Sequence, residues 1–314
     1  MRSGQFLFMR LGKGREVLLT AGLLLLIFQV AWAGAWVQKK GGYYVKVSSS
    51  FVQTSKEFDF NGTKKTLFED LEIYQNPTYQ EFKVETYLEY GLTNRLTAVA
   101  ILPFKVATDN RTIVGVAYRD NERISNTSTG FADLQLQARL GVLAQPVVLS
   151  LQPVIKIPLG YNTSKDNEAP ALGTGNVDYG GWLLLGKGFY PLPVYVTGGV
   201  GYMVRTGLLH DEIGYDIEVG LTFSRVNVKG EIQGVQNTTT PPDIYGETVI
   251  TPLPGGGGEV PIRLFGDQNF AKFIGEVMYK FHPNLALSGQ VFHMLTGKNI
   301  VSGTTFSVGF VLLR

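Results

Sequence analysis

Tyr79-Gln80-Glu81-Phe82-Lys83-Val84-Glu85-Thr86-Tyr87-Leu88-Glu89-Tyr90 alternates with a period of two. The even positions Phe82, Val84, Thr86, Leu88 and Tyr90 are mostly apolar, and the odd ones are Glu81, Lys83, Glu85, Tyr87 and Glu89. Successive side chains of a β-strand point to opposite faces, so such a segment shows one face to an apolar medium and the other to a polar one. Past residue 33 the same rhythm returns about a dozen times, separated by gaps that are tight, then long, then tight again. The pattern predicts an all-β fold: an antiparallel transmembrane β-barrel of about 12 strands, apolar side chains toward hydrocarbon and polar ones inward.

The expected strands are 42–54, 79–90, 95–106, 130–143, 147–158, 177–186, 194–205, 211–224, 226–235, 270–281, 285–295 and 304–313. Most have the roughly 9 to 11 residues that a tilted strand needs to cross a bilayer. The gaps at 91–94, 144–146, 187–193, 225 and 282–284 are short and built from Gly, Asn or Pro, as tight turns require. Longer connections at 55–78, 107–129, 159–176 and 236–269 fall between them, with shorter ones at 206–210 and 296–303. Short periplasmic turns alternating with longer extracellular loops are the habit of outer-membrane barrels, and an even strand count puts both termini on the periplasmic side.

Parity carries the same message elsewhere. Asp133, Gln135, Gln137 and Arg139 alternate with Ala132, Leu134, Leu136, Ala138 and Leu140, and Ser150, Gln152 and Lys156 with Leu149, Leu151, Ile155 and Ile157. Glu212, Asp216, Glu218 and Thr222 face away from Ile213, Tyr215, Ile217, Val219, Leu221 and Phe223. Tyr90, Phe104, Tyr179, Tyr202, Tyr215, Phe223, Tyr279 and Phe281 then form girdles at the headgroups. Plain strand propensity accounts for each of them singly.

The first 33 residues read as a cleaved secretory signal. Arg2, Arg10, Lys13 and Arg15 are basic, 17–30 is apolar, and Ala31-Trp32-Ala33 supplies small residues for cleavage before Gly34. The chain carries 28 Lys and Arg against 26 Asp and Glu, and four of the former with one of the latter lie in that segment. The rest is therefore close to neutral, which gives a nucleic-acid partner no basic patch. With no cysteine there is no thiolate metal site, disulfide or lipid anchor, and three histidines leave little for metal chemistry. No cofactor is expected. Residues 34–314 show no composition shift and read as one domain.

Several of these segments resemble an outer-membrane family named for the MetA pathway of phenol degradation, whose members are regarded as transporters. Gly91-Leu92-Thr93-Asn94-Arg95-Leu96 resembles its first tight turn, and Gly130-Phe131-Ala132-Asp133-Leu134-Gln135-Leu136 its Gly-x-x-Asp strand opening. Lys156-Ile157-Pro158-Leu159-Gly160, Gly173-Thr174-Gly175-Asn176-Val177-Asp178-Tyr179 and Thr296-Gly297-Lys298-Asn299 follow in the expected order. The likeness covers 79–314. It implies passage of small, often aromatic or hydrophobic compounds, and supplies no binding residues. The chain ends Phe310-Val311-Leu312-Leu313-Arg314, where such barrels commonly end on an aromatic.

By parity the lumen is lined by Glu81, Lys83, Glu85, Glu89, Asp133, Gln135, Gln137, Arg139, Gln152, Lys156, Asp178, Arg205, Asp216, Glu218, Lys229, Glu231, Glu276 and Lys280. An eight-stranded barrel is filled by its own side chains and a sixteen-stranded one leaves a channel. Twelve strands with mixed inward charge point to a narrow passive channel for small solutes, with outer-membrane lipids and the barrel-assembly machinery of a Gram-negative cell as partners. A hydrophobic-substrate route with an N-terminal plug is a near variant, but only residues 34–41 precede the first strand. A second reading is a structural or adhesive barrel whose charges pair and plug it.

A third reading is a lipid-modifying enzyme, which needs a base beside a nucleophilic hydroxyl. His293 has lipid-facing parity with Ser288 on the opposite face, His282 precedes Pro283 in a turn, and His210 sits in a loop, so no enzyme is expected. Gly198-Gly199-Val200-Gly201 lies in an alternating strand without a following Lys-Ser/Thr and reads as strand glycine. Asn61, Asn126 and Asn162 match a glycan acceptor pattern and read as polar loop tips. The Thr-, Pro- and Gly-rich stretch 236–268 is expected to be a mobile outer loop or to fold into the mouth as a gate.

Overall fold

A computed structural model describes residues 34–69, 74–114, 122–162, 169–207, 209–239 and 267–314. Their strands are β1 (Tyr43–Thr54), β2 (Lys56–Phe58), β3 (Lys64–Thr66), β4 (Tyr74–Gly91), β5 (Leu96–Ile113), β6 (Glu122–Phe131), β7 (Asp133–Leu143) and β8 (Val148–Pro158). There follow β9 (Asp178–Gly188), β10 (Val194–Val204), β11 (Glu212–Thr222), β12 (Val226–Asn237), β13 (Asn269–His282), β14 (Leu285–Lys298), β15 (Ile300–Ser302) and β16 (Thr304–Leu313).

The large sheet runs β4-β1-β16-β14-β13-β12-β11-β10-β9-β8-β7-β5-β6, and β4 also pairs with β5. That last pairing closes the sheet into a ring of antiparallel staves. Both β6 and β7 lie along β5, at Phe104↔Phe131 and Ile101↔Gln135 respectively. They are one stave interrupted at Ala132, whose N–H donates to the Pro103 carbonyl at 2.9 Å. The barrel thus has twelve staves. Closure gives each stave a strand neighbour on both sides through the wall, the condition a sheet must meet to stand in hydrocarbon, while β6, at the loop end, pairs with β5 alone among the described strands.

The side chains are distributed inside out relative to a water-soluble protein. Phe306 and Val308 are 66% and 69% exposed, and Leu151, Leu183, Val200, Ile217 and Val277 are exposed with them. Glu89, Arg139, Asp178, Glu218 and Glu276 are buried. An apolar belt of that extent is stable only against lipid. Tyr90, Phe223, Tyr279 and Phe281 stand exposed toward the tight-turn end and Tyr179 and Tyr202 toward the other, as a girdle requires.

The expected strands from Val148 onward match closely, and the larger differences lie at the loop end. The expected connection 107–129 is mostly strand: β5 continues to Ile113 and β6 begins at Glu122, paired from Ile113↔Glu122 down to Phe104↔Phe131. Ladder hydrogen bonds persist past the bilayer, but there Thr108, Asn110 and Thr112 replace the outward apolar residues, so the apolar alternation fades while the strand does not. The same cause hides the start of β4 at Tyr74. Connections 55–78 and 296–303 contain β2, β3 and β15, which form a small second sheet through Ile300↔Phe58 and Lys56↔Thr66. The proposed signal, 1–33, and most of the proposed gating loop, 240–266, lie outside the described residues.

Candidate functional site

The inner surface begins with a segment that precedes the first strand. Residues 34–42 turn back at the tight-turn end and run round the inner wall from β4 to β10. The Gly41 N–H donates to the Gly91 carbonyl at 2.8 Å, and the Lys40 N–H to Asn94 Oδ1 at 3.0 Å. Gln38 donates from its backbone N–H to Thr97 Oγ1 at 2.7 Å and from Nε2 to Glu89 Oε2 at 2.6 Å. Arg139 Nη1 donates to the Trp36 carbonyl at 2.9 Å, and Ser150 Oγ to that of Ala35 at 2.6 Å. The Trp36 ring meets Tyr195 edge to face, with centroids 5.7 Å apart. Ala35 and Thr97 are fully buried.

Two glycines make room for this strap. A Cβ on Gly91 would stand 2.0 Å from the Lys39 carbonyl oxygen, and one on Gly186 2.9 Å from the Trp36 ring. Only glycine allows a backbone to approach so closely. Sequence reasoning takes 34–41 only as too few residues for an N-terminal plug and does not foresee a segment lying along the wall. Eight extended residues span up to about 26 to 29 Å, enough to pass several staves.

Above the strap, the inward charges pair in two groups. On one wall Glu89 Oε1 accepts from Arg139 Nη1 at 2.8 Å and from the Tyr87 hydroxyl at 2.5 Å. Arg139 Nε donates to Gln152 Oε1 at 2.6 Å, and Gln152 Nε2 to Gln137 Oε1 at 2.6 Å, with Gln135 next to Gln137 at 3.2 Å. On the other wall Glu276 accepts from Lys46 Nζ at 2.5 Å and lies 3.4 Å from Lys229 Nζ. Lys229 also reaches Glu218 at 2.7 Å and Glu231 at 3.9 Å, and Glu218 accepts from the Tyr195 hydroxyl at 2.7 Å. Lys83 pairs with Glu85 at 3.0 Å and Lys105 with Glu81 at 3.7 Å.

The loop end is tied by a third group. Lys156 bridges Asp178 and Asp133, and Arg205 reaches Asp178, Glu212 and Asp267. The His210 N–H donates to Asp267 Oδ1 at 2.9 Å. Part of the loop between β8 and β9 folds inward here. Leu172 packs with Ala107 and Ala132, against Tyr79 and Tyr161. The Tyr161 hydroxyl donates to Asp133 and accepts from the Gly175 N–H at 2.7 Å. Burial, then the Asp133 hydrogen bond, holds the Tyr161 phenol well above its ordinary range. Asp211, in the loop after β10, is held below the usual carboxylate range by the Tyr202 hydroxyl and then by the Arg205 N–H.

No protein-family model matches the chain, and no curated protein matches it. Among solved structures, the COG4313 outer membrane channel from Pseudomonas putida F1 superposes with a TM-score of 0.61 at 13% identity, covering 91% of this chain and all of that one. The fold is that of an outer-membrane barrel. Weaker likenesses are a KdgM porin (TM-score 0.44, 9% identity, 85% of this chain and 98% of that one) and the CymD monoaromatic hydrocarbon channel (TM-score 0.36, 8% identity, 88% and 89%). They add nothing beyond the barrel.

Of the residues the sequence singled out, Glu81, Lys83, Glu85, Glu89, Asp133, Arg139, Lys156, Asp178, Arg205, Glu218, Lys229, Glu231 and Glu276 enter the ion pairs above. Asp216 is half-buried one inward position above Glu218, without an ion pair among the described residues, and Lys280 lies near the tight turns. Sequence reasoning missed Lys46, Thr97, Lys105 and Tyr195, although parity within their strands places all four inward. It also missed Trp36, a large aromatic standing before the first strand where nothing in a barrel pattern asks for one. His293 Nδ1 lies 2.8 Å from Thr304 Oγ1 of the neighbouring stave, and Ser288 is buried.

Proposed function

We propose that this chain is a channel of the bacterial outer membrane for small solutes, with a lumen narrowed by the strap at one end and by the 169–176 segment at the other. The observation that carries the proposal is the conjunction of a closed apolar-coated barrel with a buried polar interior. A barrel kept only as a stave could fill its interior with apolar side chains at less cost than with charges. The eighteen residues named from parity form the wall of the passage. Membership of the phenol-degradation family is supported by where its motifs fall: Gly91–Leu96 at the turn that meets the strap, Asp133 at the stave break, and Lys156 and Asp178 in the outer ion-pair group.

The paired charges also favour a second reading, a barrel that stays shut and serves as a structural or adhesive element. Swelling of liposomes separates the two. A narrow channel passes glycine and arabinose and excludes raffinose. A shut barrel gives no swelling with any of the three, and a wide pore admits all.

A further inference from the structure

Seven inward cations, Lys46, Lys83, Lys105, Arg139, Lys156, Arg205 and Lys229, each have a carboxylate within 4.0 Å. Lys272 on β13 shares their parity and has none among the described residues; its ammonium instead lies 5.5 Å from the Phe270 ring centroid and 5.9 Å from that of Phe292. Register puts Lys272 opposite Gln233 of β12 and Met294 of β14, one inward position above Ile274, which is buried. The nearest acid of the adjoining stave, Glu231, sits opposite Ile274 and is drawn toward Lys229 at 3.9 Å.

Ring faces attract an ammonium but accept its hydrogen bonds only weakly, and the group has three N–H donors. What remains is a cation with donors to spare, set beside the apolar side chains of Phe270, Ile274, Phe292 and Met294, with the charges of Lys83, Glu231 and Glu85 facing it beyond ion-pair distance. A free carboxylate would complete the first, and a ring packed edge-on to the phenylalanines the second. We infer that Lys272, Phe270 and Phe292 form a luminal subsite for small aromatic carboxylates. This names a solute class for the channel proposed above and rests on that reading.

Fluorine NMR of 4-fluorobenzoate with the full chain in nanodiscs tests the inference directly. The expected result is saturable binding that weakens about tenfold in Lys272→Met and about threefold in Phe292→Leu. Competition should place benzoate well ahead of acetate, which lacks the ring, and of benzyl alcohol, which lacks the charge. Unchanged affinity in both variants, or acetate competing as well as benzoate, overturns the subsite. The readout needs no current, so a chain that binds the probe but conducts nothing contradicts the channel and leaves the subsite standing. A chain that conducts but binds equally well without Lys272 does the reverse.

Discussion

Deleting residues 34–40 raises the single-channel conductance of the barrel in potassium chloride several-fold. The segment is held by the Thr97, Glu89, Arg139 and Ser150 side chains and by contact of Trp36 with Tyr195. Removing it returns all of these to water without touching a stave. Arg139 keeps Glu89 and Gln152, so no buried charge is stranded, and β1 keeps both neighbours, β16 and β4. Trp36→Ala, which withdraws the largest side chain while leaving the backbone contacts, gives a smaller increase of the same sign. An unchanged conductance in the deletion, with the barrel still folded by its heat-resistant migration on gels, means the strap is not the constriction.

Replacing Glu276 with Ala destabilises the barrel by about 3 kcal/mol, because removal of one member of a buried ion-pair group leaves the others uncompensated. Glu276 is 6% exposed at its side chain and stands between Lys46 and Lys229, each 12% exposed. Two ammonium groups would then face each other, Lys229 keeping Glu218 and Glu231 and Lys46 keeping the more distant charge of Glu85. Glu276→Gln retains an acceptor for Lys46 and a contact with Gln290, now 3.0 Å from the carboxylate, and loses less. Urea unfolding in lipid vesicles reads both variants. A loss under about 0.5 kcal/mol for the alanine variant would show the group to be solvated well enough that its pairing is worth no more than a surface bridge.

The fold was legible because a transmembrane strand must separate two media at every second residue. Where that demand holds, from Phe82 to Tyr90 or from Leu149 to Ile157, strand, face and neighbour follow from the letters alone. It lapses beyond the bilayer, which is why the outer halves of β4, β5 and β6 read as loop: there the outward positions carry polar residues such as Thr127 and Thr108, whose hydroxyls meet across that hairpin at 2.9 Å on an exposed face. Strand parity could name Glu89 and Arg139 as inward but not as partners, since their stave separation depends on register. The strap was illegible for a different reason. Besides the Gln38 and Trp36 side chains, its hold is through backbone groups of Ala35, Trp36, Gln38 and Gly41, and a backbone hydrogen bond leaves no mark on side-chain pattern. The glycines that seat it, Gly91 and Gly186, look like any others in a chain with 38 of them.

Planar-bilayer recording of the intact chain beside the 34–40 deletion decides whether the barrel conducts and whether the strap narrows it. A narrow strapped channel predicts small, discrete current steps from the intact protein and larger ones from the deletion. Silence from both, in protein that is folded and inserted, would contradict it and leave a barrel whose paired charges close it.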